Sequence, residues 1–396
     1  MASFDTAQPA PQRTFSLNDP VVRGVIYQIV VAALVILFLV WIINNTAINL
    51  KAQNKTSGFD FLWKTAGFDI SFSLFPFDRT SFYWEAFLVG LTNTILVAVI
   101  GIVLATFLGF TIGIARLSSN YLISRLATVY VETIRNIPLL LQLFFWYFAV
   151  LKTMPAVRNS IQLPLDTFIN QRGLFVPKPI FDDQFVFVLA ALVVAVIGWI
   201  ALARWARARL ERTGERFPVF WAGLGASMVL IAIVWFASGA SLAFDPPVLN
   251  RFNFKGGLEL PPELVALALG LSIYTASFIA ENVRAGIQSV SYGQTEAAQS
   301  LGLKENDRLR LVIVPQAMRV IIPPLTSQYL NLTKNSSLGA AIGYPELVNV
   351  FTGTTLNQTG RAIEVISLTM LVYLILSLGT SALMNWYNAR VALVER

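Results

Sequence analysis

Residues 281–302 read Glu281-Asn-Val-Arg-Ala-Gly-Ile-Gln-Ser-Val-Ser-Tyr-Gly-Gln-Thr-Glu-Ala-Ala-Gln-Ser-Leu-Gly302, a polar stretch set between the apolar runs 264–280 and 320–333. The residue order specifies a short helix with stops. Ser291 or Gly293 can open it, Glu296 sits near its N-terminus where the helix dipole favours an anion, and Gly302 suits a left-handed C-terminal stop. Ala297 and Ala298 leave a narrow surface that a partner's groove can approach closely. After Asn306, read as a second cap, Leu309, Val312 and Ile313 lead to Pro315, which ends that helix or begins the next.

A bilayer core takes roughly 20 apolar residues in helix. Runs free of Asp, Glu, Lys and Arg lie at 24–50, 86–115, 136–151, 184–203, 217–244, 264–280, 320–333 and 365–389, giving eight spans. Two are short. The run 136–151 reaches membrane length if its helix begins near Leu126 and carries Glu132 and Arg135, a pair at i and i+3, at one membrane face. The run 320–333 is interrupted by Lys334 and resumes to Pro345. The expected fold is therefore all-α, a polytopic membrane protein with about eight transmembrane helices.

Composition agrees. Of 396 residues, 56% are apolar and 13% charged, against roughly a quarter charged in a soluble domain. The chain has no Cys and no His, which excludes disulfides, thiol nucleophiles, His bases, Cys or His zinc sites and Ser-His-Asp triads. The net charge of +7 is topological. With the N-terminus placed in the cytoplasm, 17 Lys and Arg fall inside and 11 outside, and Arg204, Arg207, Arg209, Arg212 and Arg216 share one short inside loop. Nucleic-acid binding falls away, and both termini are expected to be cytoplasmic. The first apolar run is too long for a cleavable signal and reads as a membrane helix. The loop after it is aromatic, with Phe59, Phe61, Trp63, Phe68, Phe72, Phe75, Phe77, Phe82, Tyr83 and Trp84. That suits a segment lying along the headgroups; the alternative is a small folded extracytoplasmic cap.

The spacing Glu296-Ala297-Ala298, three residues, Gly302, nine residues, Val312-Ile313-Val314-Pro315 resembles the "EAA" loop of ABC-importer permease subunits. Arg135-Asn-Ile-Pro138-Leu-Leu-Leu-Gln142, Gly90-Leu-Thr-Asn93-Thr94, Pro315-Gln316-Ala317 and Lys334-Asn335-Ser336-Ser337-Leu338 are similar to segments of the polar amino-acid permeases. The resemblance covers 86–151 and 263–390 and implies a five-helix core, formed by parts 86–151 and 263–396, with a cytoplasmic coupling loop at 281–319. Outside the core are residues 1–85, comprising a tail, an extra helix and the aromatic loop, and an insertion at 152–262 with two further spans. With Asn18-Asp19-Pro20 and Gly58-Phe-Asp-Phe-Leu, this layout resembles the Q-type permease subunits of general L-amino-acid importers.

Such a resemblance implies residence in a bacterial inner membrane, a second permease subunit, two ABC ATPase subunits, a periplasmic amino-acid-binding protein and an L-amino-acid substrate. It implies that Gly293, Glu296, Ala297, Ala298, Gly302 and Pro315 belong to a coupling helix seated in an ATPase cleft. ATP and Mg would be bound by the partner ATPases and no cofactor by this chain. A phosphate-binding loop needs Gly before Lys-Ser or Lys-Thr, whereas Lys55-Thr56, Lys64-Thr65 and Lys152-Thr153 follow Asn, Trp and Leu.

Lys334 is the leading candidate for a substrate contact. A central Lys costs roughly 2.5–3.5 kcal/mol on insertion scales, and such residues face cavities or partners. If the helix enters the membrane at Pro323-Pro324, Lys334 lies about 14 Å deep. Asn335, Ser336 and Ser337 would extend a polar face suited to an amino-acid carboxylate, with Gln142 and Asn93 as weaker candidates whose simpler reading is helix bridging. The alternative for Lys334 is an internal pair with Glu281 or Glu364, or binding to helix carbonyls. A rival function is a gradient-driven secondary transporter using the Lys334 region. An intramembrane hydrolase lacks His and any evident Ser-Lys or Asp pair.

Overall fold

The structure is a computed structural model that describes residues 20–52, 58–215, 217–250 and 253–391. Asn18, Asp19 and the rest of the N-terminal tail, together with Arg216, lie outside the described residues. The helices are α1 (Pro20–Ala52), α2 (Tyr83–Ala115), α3 (Tyr121–Asn136), α4 (Leu139–Phe144), α5 (Phe185–Thr213), α6 (Val219–Ser238), α7 (Pro262–Gln288), α8 (Tyr292–Ser300), α9 (Glu305–Arg308), α10 (Val314–Asn335), α11 (Leu356–Thr359) and α12 (Ala362–Val391). Among the described residues, 7 helices are long and apolar enough to cross a membrane, or up to 8 if the bent pair of α3 and the helix that follows it is one span. The fold is mostly helical, as expected.

The bent pair corrects one expectation. Instead of a single helix from Leu126 to Leu151, α3 meets α4 and its π-helical continuation Phe145–Leu151 at 106°. The cause is local: Ile137, preceding Pro138, is extended with φ −98° and ψ 126°, because the proline ring crowds an α-helical conformation at the residue before it. The expected Glu132–Arg135 pair is absent too. Glu132 reaches Arg116 at 3.5 Å, while Arg135 lies 5.0 Å from the centroid of the Phe278 ring. Pro323 and Pro324 lie inside α10. Asn306 likewise falls within α9, whose N-cap is Lys304.

The core forms where α2, α7 and α10 press together, and glycines set the distances. A Cβ on Gly109 would come 2.5 Å from Ile279, and one on Gly113 would come 2.8 Å from Val283 and from the carbonyl of Ala280. A Cβ on Gly286 of α7 would likewise come 2.3 Å from Ile321 of α10. Val97, Leu143, Leu267, Leu271, Ile279, Ile321 and Leu332 fill the space between. Gly109→Val is therefore expected to wedge α2 away from α7 and cost about 1–3 kcal/mol by overpacking. A thermal unfolding midpoint equal to that of the unsubstituted protein would contradict this. By contrast, α1 has 0% of its apolar window buried, and α5 and α6 pack chiefly on each other. Their exposed apolar surfaces suit contact with lipid.

Two folded parts sit at the N-terminal ends of α2 and α7. The aromatic loop packs as a folded unit against the helices: Phe61 is 2% exposed and packs with Tyr83 and Phe351. Arg361 clamps it through Asp60 at 3.0 Å and the Gly58 carbonyl at 3.2 Å, and Gly58 donates its N–H to Glu364. The insertion contributes strands that the sequence reading did not anticipate. They are β1 (Ile161–Leu163), β2 (Thr167–Asn170), β3 (Gly173–Val176), β4 (Lys178–Phe181), β5 (Leu242–Asp245), β6 (Val248–Asn250), β7 (Asn253–Lys255) and β8 (Leu258–Leu260). They form an antiparallel sheet β1-β2-β3-β8 and two ribbons, β4-β5 and β6-β7, around Val157, Phe168, Phe175 and Phe254.

Candidate functional site

Two features with functional potential stand at opposite ends of α10. At the first, α8 begins after Ser291, which has the extended backbone of an N-cap with φ −62° and ψ 143°. It stops at Gly302, whose φ of +71° is the left-handed stop expected. The Gly302 N–H donates to Gln299 at 2.9 Å and the Leu303 N–H to Ala298 at 3.1 Å, closing the turn. Ala298 is buried against the chain, while Glu296 and Ala297 are exposed, as are Tyr292 (72%) and Leu301 (79%). Tyr292 on α8 and Leu301 in the turn after it are thus large side chains open to a partner. A Cβ on Gly293 would meet nothing within 4 Å, so the fold itself makes no demand for glycine there. Pro315 stands in the first turn of α10, where its missing N–H is tolerated.

Beneath α8, a charged knot ties three helices. Arg116 at the end of α2 donates to Glu281 of α7 and lies 3.5 Å from Glu132 of α3, while Arg284 donates to the same Glu281. Glu281 is thus engaged by two arginines. It does not pair with Lys334.

At the other end, Lys334 and Ser337 line a cavity of about 570 Å³ with Val348 and Thr352, and with Ile366, Thr369, Met370, Tyr373, Leu374 and Ser377 of α12. Among the described residues, Lys334 has no carboxylate within ion-pair distance, Glu364 being occupied by the Gly58 N–H. Thr352 Oγ1 and Ser377 Oγ are buried and find no hydrogen-bond partner among the described residues. An unneutralised ammonium and two unsatisfied hydroxyls facing one space can accept a carboxylate ligand. Lys334 lies in the last turn of α10, about 30 Å along the helix from Val314.

The other expected residues scatter. Asn335 turns to a separate cavity of about 170 Å³ lined by Tyr274, Thr275, Phe278, Gln328 and Asn331. Ser336 is buried and donates to the Thr333 carbonyl at 2.7 Å. Gln142 Nε2 donates to the carbonyls of Ile134 and Ile137, both at 2.9 Å, holding the α3–α4 bend. Asn93 is fully buried, and its Nδ2 donates to Phe72 and Pro345 at 2.9 Å, while Thr94 accepts the Leu347 N–H at 3.1 Å. Both brace the break after α10 rather than the cavity. The sequence reading missed Thr369, Tyr373 and Ser377. Their spacing at i, i+4 and i+8 within an apolar run marks one polar stripe on a helix and would have revealed them.

The family described as binding-protein-dependent transport system inner membrane component matches residues 212–393. The general L-amino acid transport system permease protein AapQ of Rhizobium johnstonii is 52% identical over 96% of this chain and 95% of that protein. A putative amino-acid ABC transporter permease protein, YhdX, of Escherichia coli is 49% identical over 97% of this chain and 98% of its own length. The glutamate/glutamine/aspartate/asparagine transport system permease protein BztB of Rhodobacter capsulatus is 40% identical over 98% of this chain and 99% of its own. These relatives are transport permeases rather than enzymes, and their ABC type removes the gradient-driven alternative. Similar to these permeases over nearly its whole length, the chain belongs to the binding-protein-dependent transport system inner membrane components, the permease subunits of ABC importers.

Proposed function

We propose that this chain forms one half of the translocation pathway of an ATP-driven importer of L-amino acids, taking substrate released by a periplasmic binding protein. The relatives' names support the substrate class, and the cavity at Lys334 supports it independently by its carboxylate-accepting chemistry. Permeases of this family work in the bacterial inner membrane with ATPase subunits, a binding protein and a second permease. On this reading both termini and α8 face the cytoplasm, and the strands and aromatic cap face the periplasm. Two ABC ATPase subunits hold the ATP and Mg, and this chain holds no cofactor.

The single observation that carries the coupling reading is the continuity of α8, α9 and α10. A displacement of α8 by an ATPase enters a chain segment whose far end holds Lys334. Tight contacts between Gly286 and Ile321 make α7 follow α10, and the Arg116–Glu281 contact makes α2 follow α7. Small movements at α8 therefore shift packed helices as bodies. In this role Glu296, Ala297, Ala298 and Gly302 seat the docking helix, with Gly293 and Pro315 at its flanks. Lys334 and Ser337 meet the substrate; Ser336, Asn335, Gln142 and Asn93 hold the surrounding helices.

Proteoliposomes test the reading. The assembled complex should accumulate labelled amino acid only with ATP and binding protein, and vesicles containing this chain alone should accumulate none. Nucleotide-independent accumulation by the chain alone would overturn it.

A further inference from the structure

The α5–α6 hairpin takes little part in the core, yet it carries a groove of its own. Two cavities follow one another along its seam. The first, of about 280 Å³, is lined among others by Val194, Ala195, Gly198, Leu202, Gly223 and Ala226. The second, of about 360 Å³, lies further along α5 against Ala203, Ala206, Leu210, Phe217 and Val219, and Arg207 closes it. Residues 195, 198, 202, 206 and 210 recur at three- and four-residue steps, so both cavities open on the same face of α5.

The two halves differ in chemistry. The first is apolar and about 12 Å long from Val194 to Leu202, close to the roughly 15 Å of one leaflet's hydrocarbon. The second begins where α5 turns basic, at Arg204, Arg207, Arg209 and Arg212. Arg209 is neutralised by Glu215 at 2.8 Å and leans on the Trp205 ring. Arg204, Arg207 and Arg212 make no ion pair among the described residues. The surrounding faces are apolar and exposed at Val193, Val196, Ile197 and Ile200, which puts the apolar half of the groove in lipid. What meets an apolar groove inside a bilayer is an acyl chain, and what meets unpaired arginines at its polar edge is a phosphate.

We propose that the α5–α6 seam binds one anionic phospholipid, with an acyl chain between Gly198 and Ala226 and the headgroup phosphate at Arg207, the arginine that closes the second cavity. Gly198 provides the decisive probe. A Cβ there meets nothing within 4 Å, so a larger side chain fills the groove without disturbing the helix pair.

The full-length chain is purified in detergent, stripped of lipid and titrated with phosphatidylglycerol or with phosphatidylcholine of identical acyl chains. Bound lipid is counted by native mass spectrometry. The unsubstituted chain should prefer phosphatidylglycerol, and R207Q should weaken that binding by about fivefold. Gly198→Leu should weaken it with the arginines intact. Gly198→Ala and R207K guard against misfolding and should retain binding, as should R204Q and R212Q, whose arginines lie outside the cavity lining. Equal binding of the two lipids, or binding unmoved by either R207Q or Gly198→Leu, would overturn the proposal. So would displacement of the lipid by inorganic phosphate, which would assign Arg207 to a free anion.

Discussion

Lys334→Ala is expected to abolish amino-acid uptake by the assembled importer while leaving subunit assembly and basal ATPase activity unchanged. The ammonium lines the large cavity beside Thr352 and Ser377, whose hydroxyls are buried without partners among the described residues. A carboxylate entering that space gains a charge-assisted hydrogen bond worth about 1.5–3 kcal/mol, or roughly 10- to 150-fold in affinity. The structural cost of the substitution is smaller. Lys334 sits in the last turn of α10, where a cation interacts favourably with the helix dipole by about 0.3–1 kcal/mol. Lys334→Arg keeps the charge and should retain part of the uptake. Asn335→Ala alters a neighbour that faces the other cavity and should leave uptake near that of the unsubstituted protein. Transport of labelled substrate into proteoliposomes, measured beside ATP hydrolysis, separates these outcomes. Normal uptake by Lys334→Ala would remove the substrate role.

Why some of this was legible in the sequence and some was not follows from the range of the interactions. Long charge-free runs and the stop at Gly302 are local properties, set by hydropathy and by one residue's backbone freedom, so both survive into the fold. Pro138 was visible as well, but its effect on direction depends on α4 finding a surface to turn onto. Leu143 supplies that contact by packing into the space left by Gly270. The interior position of Pro323 and Pro324 could not be read locally. Their lost hydrogen bonds are tolerated in a helix held by Ala317, Ile321, Ile322 and Leu325, all buried. The strands of the insertion are only three or four residues long, too brief for an alternating pattern to register. Glu132 found Arg116 rather than Arg135 because the break at Ile137 frees Arg135 to lie over Phe278, a choice made by tertiary structure. The cavity falls between these extremes. Lys334 announced it, and the hydroxyl stripe of α12 completes it only once the two helices are placed together.

Gly302→Val should detach the ATPase, lowering its affinity for the permease by about tenfold or more, the equivalent of at least about 1.4 kcal/mol. The argument is one of backbone rather than bulk. A Cβ at Gly302 would touch nothing within 4 Å, but φ is +71°, a region that costs a β-branched residue on the order of 1–3 kcal/mol. To escape it, the turn must open and release the Gly302 and Leu303 N–H groups from Gln299 and Ala298. Leu301, the most exposed apolar side chain of this region, would then leave the position the turn gives it. Gly302→Asn supplies the contrast, since Asn accepts the left-handed conformation far more readily, and it should retain most of the affinity. Gly293→Ala should be silent, because that glycine has an ordinary φ and open space around it. Co-purification of tagged ATPase with each variant, followed by ATP-dependent uptake, measures the series. If Gly302→Val held the ATPase as firmly as the unsubstituted chain and still drove uptake, the geometry of α8 would have no part in coupling, and force would have to enter the membrane helices elsewhere.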